Sequence, residues 1–354
     1  MKGKSTMIIK RKDYSIELSE PILYVDNEKR RRSGHMTHGL AEFAPGKLID
    51  FNSNCAYDRC EGHSTFGWVE YRISEDGGET FSPVYDLEYS KQVLLEGVYV
   101  ISVEKAVACD DGTIIAFCLR SDNRNLCVPW ATPMYIRSFD GGKTWSEAKE
   151  LCGYRGRMYD ACYHNGTAYV LMISNDGEWN FCGHKEEHLY RLYKSDNNGE
   201  SFEELCVVPI PWLGRGYGSM LFDDTGRLHV YAYNENDERA MDHVVSEDGG
   251  IRWVEPDVCY LAKGIRNPQT ALIDGVYILH GRAEKESGFV LYSSKDGQNW
   301  DEGTYIGEVK GVCYYSNNIV LKDKDDKNRL LIQYSEIYIP SRVNVMHRWL
   351  TIHH

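Results

Sequence analysis

The stretch Ser138–Trp145, with the sequence Ser-Phe-Asp-Gly-Gly-Lys-Thr-Trp, occurs in related form five times along the chain. Each copy has a serine at or next to its start, a glycine near its middle and an aromatic residue at its end. The other copies are Ser74–Phe81, Ser195–Phe202, Ser246–Trp253 and Ser293–Trp300. Successive copies start 64, 57, 51 and 47 residues apart. A short motif that recurs at such steps predicts a repeated supersecondary unit, and therefore a repeat architecture.

Each copy is expected to form a tight hairpin turn. The aspartate carboxylate can accept hydrogen bonds from the backbone N–H groups that follow it, and glycine supplies the positive φ that the turn needs. The final aromatic residue is expected to pack back over the turn and anchor it to its own sheet. Two copies are degenerate, because Asn197 and Lys295 occupy the aspartate position.

Between these turns, one pattern of two apolar runs joined by a glycine-containing or charged turn occurs six times. The six units are 38–49, 104–115, 160–169, 219–230, 269–278 and 315–334. Strand-like alternation with frequent turns, and no sustained helical period, favours an all-β chain. We therefore predict a single six-bladed β-propeller spanning residues 1–354, in which a strand within 14–26 closes the ring by joining the last blade.

Composition narrows the classes of function. The net charge of -13 argues against general binding of nucleic acid or an anionic membrane. We see no run apolar enough for a signal peptide or a bilayer span, so a cytoplasmic location is expected. The 11 cysteines show no CxxC spacing and are expected to be reduced and buried. No cofactor is expected, and the sequence is compatible with a homo-oligomer.

The residues just before each apolar run are expected to meet at one mouth of the channel, because the innermost strands of a propeller all begin there. They are Thr37, His38, Glu104, Lys105, Arg157, Asp160, Tyr217, Ser219, Arg266, Asn267, Gln269, Tyr314, Tyr315 and Ser316. Charged, amide and phenol groups suit a ligand with several hydroxyls and a carboxylate. Alternatively, these groups satisfy one another across a wet channel.

The repeated turns resemble the Asp-box of the sialidase superfamily, whose members are six-bladed propellers. In that family a tyrosine activated by a glutamate attacks the anomeric carbon, an aspartate is the acid/base, and three arginines bind the sugar carboxylate. The resemblance implies that Tyr315 is the nucleophile and Arg282 the third arginine. It also implies that Glu336 steadies the first arginine.

The first two thirds of the chain depart from that pattern. The first arginine position holds His38, and Arg30–Arg32 are displaced and expected to be a solvated charge run. The acid/base position falls near His63 and Asp58, while Tyr217 lies where the activating glutamate belongs. The imidazoles of His38 and His63 titrate in the range useful for acid/base work.

The missing glutamate could be replaced from another strand, and Glu70, Glu104 and Glu235 are the candidates. His184 and His188 are not expected to bind metal, since a strand would hold them about 13 Å apart.

Three functions follow from these residues. The first is an exo-acting glycoside hydrolase of an acidic, sialic-acid-like or uronic-acid-containing oligosaccharide, with Tyr315, His63, Asp58 and His38 as catalytic candidates. Its substrate-binding candidates are Arg282, Arg266, Gln269, Arg157, Asp160, Glu104, Tyr217 and Glu336. The second is a uronate lyase that uses Arg282 to neutralise the carboxylate and His38 or Tyr315 as base. The third is a non-catalytic glycan-binding propeller.

Overall fold

A computed structural model of the protein describes residues 6–354 except 35–36, 60–65, 123, 126–127, 181, 284–287 and 309–313. Within these ranges the chain forms six antiparallel sheets and is 55% strand. The prediction of an all-β, six-bladed propeller is confirmed.

The strands follow one another blade by blade. The N-terminal segment contains β1 (Thr6–Lys10), β2 (Ser15–Ser19), β3 (Ile22–Val25) and helix α1 (Asn27–Arg30). Blade 1 contains β4 (Arg32–Ser33), β5 (Leu40–Ala44), β6 (Lys47–Ala56), β7 (Gly67–Ser74) and β8 (Tyr85–Asp86), with a 3₁₀ turn at Tyr57–Arg59. Helix α2 (Glu88–Leu95) leads to blade 2, which contains β9 (Val100–Ala108), β10 (Ile114–Ser121), β11 (Met134–Ser138) and β12 (Lys149–Glu150). Blade 3 contains β13 (Gly156–His164), β14 (Thr167–Ser174), β15 (Leu189–Ser195) and β16 (Glu203–Val207).

Blade 4 contains β17 (Arg215–Phe222), β18 (Leu228–Asn234), β19 (Ala240–Ser246) and β20 (Asp257–Tyr260). Blade 5 contains β21 (Ile265–Ile273), β22 (Val276–Ala283), β23 (Phe289–Ser294) and β24 (Thr304–Gly307). Blade 6 is built from β25 (Ser316–Lys322), β26 (Asn328–Ile339) and β27 (Arg342–His353).

The two ends of the chain share the last sheet. In blade 6 the strand order is β25-β26-β27-β2-β1, and β3 also pairs with β27. The register places Ile16 opposite Ile352 and Leu18 opposite Leu350. The segment 14–26 therefore contains two strands that pair with the final strand of the chain. The N-terminal strands therefore complete blade 6 on the outer side of β27, so that the edge of β27 is paired.

The hydrophobic core lies between neighbouring blades. Six clusters of buried side chains among the described residues each join two adjacent blades around the ring. At the interface between the first and last blades, Leu40 and Leu48 pack with Leu321 and Leu331. Burying one such side chain contributes about 1.5–3 kcal/mol. The blades are thus held to one another by the same force that forms the core of a compact domain.

The Asp-box turns have the hydrogen bonds that the sequence predicts. Asp140 accepts hydrogen bonds from the backbone N–H groups of Lys143 and Thr144 at 3.0 and 2.9 Å and from the Ser138 hydroxyl at 2.9 Å. Gly142 adopts φ 88° and donates its N–H to Ser138 Oγ at 2.8 Å. Hydrogen bonds from the Thr144 side chain, followed by its backbone N–H, lower the pKa of Asp140 to about 2.

The fifth turn has a different register from the one read from the sequence. Ser294, rather than Ser293, begins the box, and its hydroxyl donates a hydrogen bond to Asp296 Oδ1 at 2.9 Å. Gly297 then donates its N–H to Ser294 Oγ at 3.0 Å. Lys295 therefore does not occupy the aspartate position, because this turn is one residue shorter between its serine and its glycine.

The aromatic residue that ends each box anchors the turn to the preceding blade, which corrects the expectation that it anchors its own sheet. Trp145 of blade 2 lies 5.8 Å from Phe51 and 6.0 Å from Tyr71, both of blade 1, between ring centroids. The Tyr71 hydroxyl also donates to the carbonyl of Gly142 in the same box at 2.8 Å. The repeated turns therefore join neighbouring blades, which explains why the motif recurs around the ring.

Neither of the two α-helices in the described part of the chain was predicted from the sequence. Helix α2 is eight residues long and connects blades 1 and 2. Its Ser90 hydroxyl accepts the N–H of Val69 at 2.9 Å, so the helix docks on β7 by a buried polar contact. No helix in the described ranges is long and apolar enough to cross a bilayer.

Candidate functional site

A small polar cavity of 40 Å³ lies where the innermost strands begin. Nine of the residues that the sequence placed at the mouth line it, together with Tyr159 and Gly218. The nine are His38, Glu104, Lys105, Arg157, Tyr217, Asn267, Gln269, Tyr315 and Ser316. The convergence follows from propeller geometry, since every inner strand starts at the same face.

Irregular backbone aims several of these side chains into the cavity. The register of the inner strand shifts at Tyr217 in blade 4 and at Asn267–Pro268 in blade 5. Tyr217 and Asn267 have φ of 41° and 51°, in the left-handed region that bulky residues rarely adopt. Bulges of this kind redirect side chains near functional sites, and the strain persists only where the surroundings fix it.

Two phenols meet at the centre of the cavity. The hydroxyl oxygens of Tyr217 and Tyr315 are 3.1 Å apart, and both rings are buried. Burial, followed by the neighbouring Tyr315, raises the pKa of Tyr217 well above its ordinary value. Tyr217 therefore stays protonated and can donate its hydrogen to the oxygen of Tyr315. Tyr217 thus meets the Tyr315 oxygen as a hydrogen-bond donor, whereas the resemblance described above implies a glutamate at this position.

Arg157 and Glu104, which are hydrogen-bonded to each other, form one wall. Arg157 Nη2 lies 3.4 Å from Glu104 Oε2, and both side chains are largely buried. The Arg157 guanidinium also lies over the ring of Tyr217 at 5.5 Å. Burial raises the pKa of Glu104, an effect that Arg157 partly offsets. Glu104 Oε1 has no hydrogen-bond partner among the described residues. A buried carboxyl oxygen of this kind is suited to a ligand hydroxyl.

Arg282 lies beneath Tyr315. Its guanidinium carbon is 5.6 Å from the centroid of the Tyr315 ring, and only 3% of the residue is exposed. Within the described ranges, Arg282 Nε and both side-chain polar atoms of Asn267 lack hydrogen-bond partners. Buried polar atoms are normally paired, and Asn267 lines the cavity, so its amide can bind a polar ligand there. Arg282 is not among the lining residues and faces the cavity only through the ring of Tyr315.

A buried lysine forms the floor. Lys105 Nζ donates to Gln269 Oε1 at 2.6 Å and to Asn317 Oδ1 at 2.5 Å, and it lies 3.0 Å from Asp160 Oδ1. The second oxygen of Asp160 accepts the Ser219 hydroxyl at 3.0 Å. Lys105 also lines a larger channel of 370 Å³ on the far side. Asp160 lines this channel and pairs with Lys105, which lies between the channel and the small cavity. Asp160 is not among the residues that line the small cavity.

His38 is tied to blade 6. Its Nδ1 lies 2.8 Å from Gln333 Oε1, and the Gln333 amide nitrogen donates to Asp50. Since a carbonyl oxygen accepts, Nδ1 of His38 carries the proton, which leaves the lone pair on Nε2. In this tautomer Nε2 is the nitrogen of His38 that can accept a proton.

Several candidates lie apart from the cavity lining. Arg266 Nε lies 2.7 Å from Glu238 Oε1 and donates to the Tyr233 hydroxyl at 3.1 Å. Glu336 is half-buried in β26 opposite Asn344. Asp58 is exposed in the turn Tyr57–Arg59, and His63 lies outside the described residues.

Of the three replacement glutamates, only Glu104 lines the cavity. Glu235 is exposed. Glu70 accepts two hydrogen bonds from Arg30, at 2.9 and 2.5 Å. Arg30 is exposed, as expected of a solvated run, although it pairs with Glu70. Arg32 departs from that expectation, because it is half-buried and its guanidinium lies 4.9 Å from the centroid of the Trp68 ring.

Tyr159 was missed by the sequence analysis. The strand register shifts between Met158 and Asp160, so the simple alternation of sides fails there. Tyr159 consequently lines the cavity beside Arg157, whose guanidinium carbon is 5.5 Å from its ring centroid. No signal in the sequence marks this bulge.

The geometry of His184 and His188 corrects the sequence-based argument about their spacing. They lie in the loop between β14 and β15 rather than in a strand. Their ring centroids are 4.5 Å apart. The turn between them brings together two side chains that a strand would have separated.

The fold and the cavity define a six-bladed β-propeller built on Asp-box turns with a polar pocket at one mouth. The family model described as "BNR/Asp-box repeat" matches residues 136–147. No curated protein sequence matches the chain.

Solved structures share the propeller. A protein of unknown function from Dyadobacter fermentans DSM 18053 has a TM-score of 0.68 at 15% identity, covering 95% of this chain and 99% of that one. The Hadza microbial sialidase Hz136 has a TM-score of 0.66 at 13% identity, covering 93% and 68%. An α-L-arabinanase from Penicillium chrysogenum, complexed with arabinobiose, has a TM-score of 0.61 at 12% identity, covering 93% and 98%. At these identities the likeness establishes the fold.

Proposed function

We propose that this protein is a retaining glycoside hydrolase that removes a terminal acidic sugar, with Tyr315 as its nucleophile. The observation that carries the proposal is the pair of buried phenols, Tyr217 and Tyr315, whose oxygens are 3.1 Å apart in a cavity that Glu104 and Arg157 also line. The guanidinium of Arg282 packs against the Tyr315 ring. Two of the structural neighbours, a sialidase and an arabinanase, are consistent with a glycosidase.

The charge balance favours an anionic sugar. Lys105 is offset by Asp160, and Glu104 has a raised pKa that favours its neutral form. Arg157 and Arg282 then supply the remaining positive charge next to Tyr315. Guanidinium groups bind carboxylates through paired hydrogen bonds, and a neutral phenol avoids repulsion between nucleophile and substrate.

The proposed reaction has two steps. The oxygen of Tyr315 bonds to the anomeric carbon while its proton passes to Nε2 of His38. The glycosidic C–O bond breaks, and the departing oxygen takes its proton from Glu104. In the second step Glu104 accepts a proton from water, and the water oxygen bonds to the anomeric carbon as the bond between that carbon and the Tyr315 oxygen breaks. The Tyr315 oxygen recovers its proton from His38. Exchange of acid and base roles by one carboxyl group is the retaining pattern.

A panel of fluorogenic glycosides of sialic acids and uronic acids tests this function. We expect release of dye from one class, and a loss of kcat of at least about 10³-fold in Tyr315→Phe, because nucleophile and proton are removed together. Tyr314→Phe is the matched control, since its hydroxyl donates to the backbone carbonyl of Glu308 away from the cavity.

Two outcomes would overturn the proposal. Release of an unsaturated uronate, detected by its new absorbance, would identify the lyase. Calorimetric binding of acidic glycosides without turnover would identify a glycan-binding propeller.

A further inference from the structure

A loop of blade 3 brings one carboxylate and two imidazoles together close to the mouth. The loop follows Ser174, which pairs with Gly156 at the start of the inner strand. Glu178 Oε2 lies 2.7 Å from His184 Nε2, and one possible ligand atom from each of Glu178, His184 and His188 lies within 4.8 Å of the others. Nitrogen and oxygen ligands bind zinc at about 2.0–2.2 Å, so small side-chain movements bring all three around one ion.

His188 gives an independent reason to expect a ligand. The residue is fully buried, and its Nε2 makes no hydrogen bond to any described residue. The nearest carboxylate oxygen is that of Asp176, 3.6 Å away. Nδ1 of His188 accepts the backbone N–H of His184 at 3.3 Å, so Nε2 is the ring nitrogen left for an ion.

We propose that Glu178, His184 and His188 form a binding site for a divalent transition-metal ion of the zinc type. Two imidazoles and one carboxylate suit zinc and its neighbours, whereas calcium and magnesium prefer oxygen ligands alone. Lys185 Nζ lies 2.5 Å from Glu178 Oε1, which leaves Oε2 as the oxygen that binds the ion.

The ion would fix one wall of the cavity. Trp179 follows Glu178 and stacks on Trp130 with ring centroids 5.7 Å apart and planes 11° apart. The Trp130 ring in turn lies 5.4 Å from the guanidinium carbon of Arg157. The role is structural, so the site does not depend on the hydrolase proposal.

Cobalt titration of the chelator-treated protein tests the site. We expect one Co²⁺ per chain with a weak visible d–d band, displaced by Zn²⁺, and a zinc-dependent rise in Tm. His184→Gln and Glu178→Gln should each weaken Co²⁺ binding by at least about 100-fold, since even residues behind a metal ligand contribute 10–100-fold. His184 is partly exposed, so its variant should fold. The matched control, His164→Gln, lies at the far end of β13 and should bind normally.

The absence of binding would overturn the proposal. So would unchanged affinity in His184→Gln, which would place the ion elsewhere, including at His353 and His354. An intense near-ultraviolet thiolate-to-cobalt band would also contradict it, because it would show that cysteines bind the ion.

Discussion

Replacing Asp160 by asparagine tests the floor of the cavity. The change keeps the size of the side chain but removes the charge that lies 3.0 Å from Lys105 Nζ. Lys105 then remains as a buried cation whose other partners, Gln269 and Asn317, are neutral. Removing one partner of a buried ion pair costs about 3–5 kcal/mol. With unfolding entropy of about 2.1 cal/mol/K per residue, a 354-residue cooperative unit should lose roughly 4–7 °C in Tm.

Urea unfolding followed by tryptophan fluorescence measures the loss in the free energy of unfolding. The matched control is Asp196→Asn, whose partner Lys194 lies at a similar distance, 2.7 Å, but on the surface. An exposed pair contributes less than about 1 kcal/mol. The double variant Lys105→Met/Asp160→Leu should recover part of the loss, because it leaves no buried charge unpaired. If Asp160→Asn loses no more stability than Asp196→Asn, then Asp160 does not stabilise the buried charge of Lys105, and the reasoning is wrong.

The remaining predictions concern the cavity and the repeated turns. Tyr217→Phe should lower kcat about 10²–10³-fold with little change in KM, because it removes a donor to the reacting oxygen; steady-state kinetics check this, and a loss under tenfold contradicts it. The raised pKa of Glu104 predicts that activity falls as pH rises through that pKa, and Glu104→Gln should abolish this alkaline limb; an unchanged profile in the residual activity would exclude Glu104 as the acid. Asp140 has a folded pKa of about 2, set chiefly by Thr144, so it contributes stability above the ordinary carboxyl pKa that is lost as pH falls toward 2. In Asp140→Asn, the free energy of unfolding should therefore depend less on pH over that acid range. The same pH dependence in the variant and in the unaltered protein would show that Asp140 makes no such contribution.

The sequence was sufficient for the architecture because each blade is specified locally. The recurring turn, typified by Ser138–Trp145, marks one corner of a blade, and period-two alternation marks its strands. The convergence of Glu104, Arg157 and Tyr315 was predictable as well, since the start of an inner strand has only one place in a propeller.

The features that could not be predicted from the sequence arise where the chain departs locally from the two-residue period of a strand or from the regular spacing of the turns. Tyr159 enters the cavity through a bulge, and the fifth turn begins at Ser294 because it is one residue shorter. His184 and His188 meet because a loop has no fixed period. The partner of the Tyr315 oxygen was likewise unpredictable, because it depends on the left-handed backbone of Tyr217.

The most direct test of the central claim is to trap the covalent intermediate. The protein is incubated with the fluorinated glycosyl fluoride of the acidic sugar that it releases; the fluorine slows the second step so that the sugar stays attached to its nucleophile, and digestion with mass spectrometry locates it. We predict one glycosyl group per chain on Tyr315, absent in Tyr315→Phe and present in Tyr314→Phe. A sugar attached to Glu104, or turnover without any attached sugar, would contradict the assignment of Tyr315 as the nucleophile.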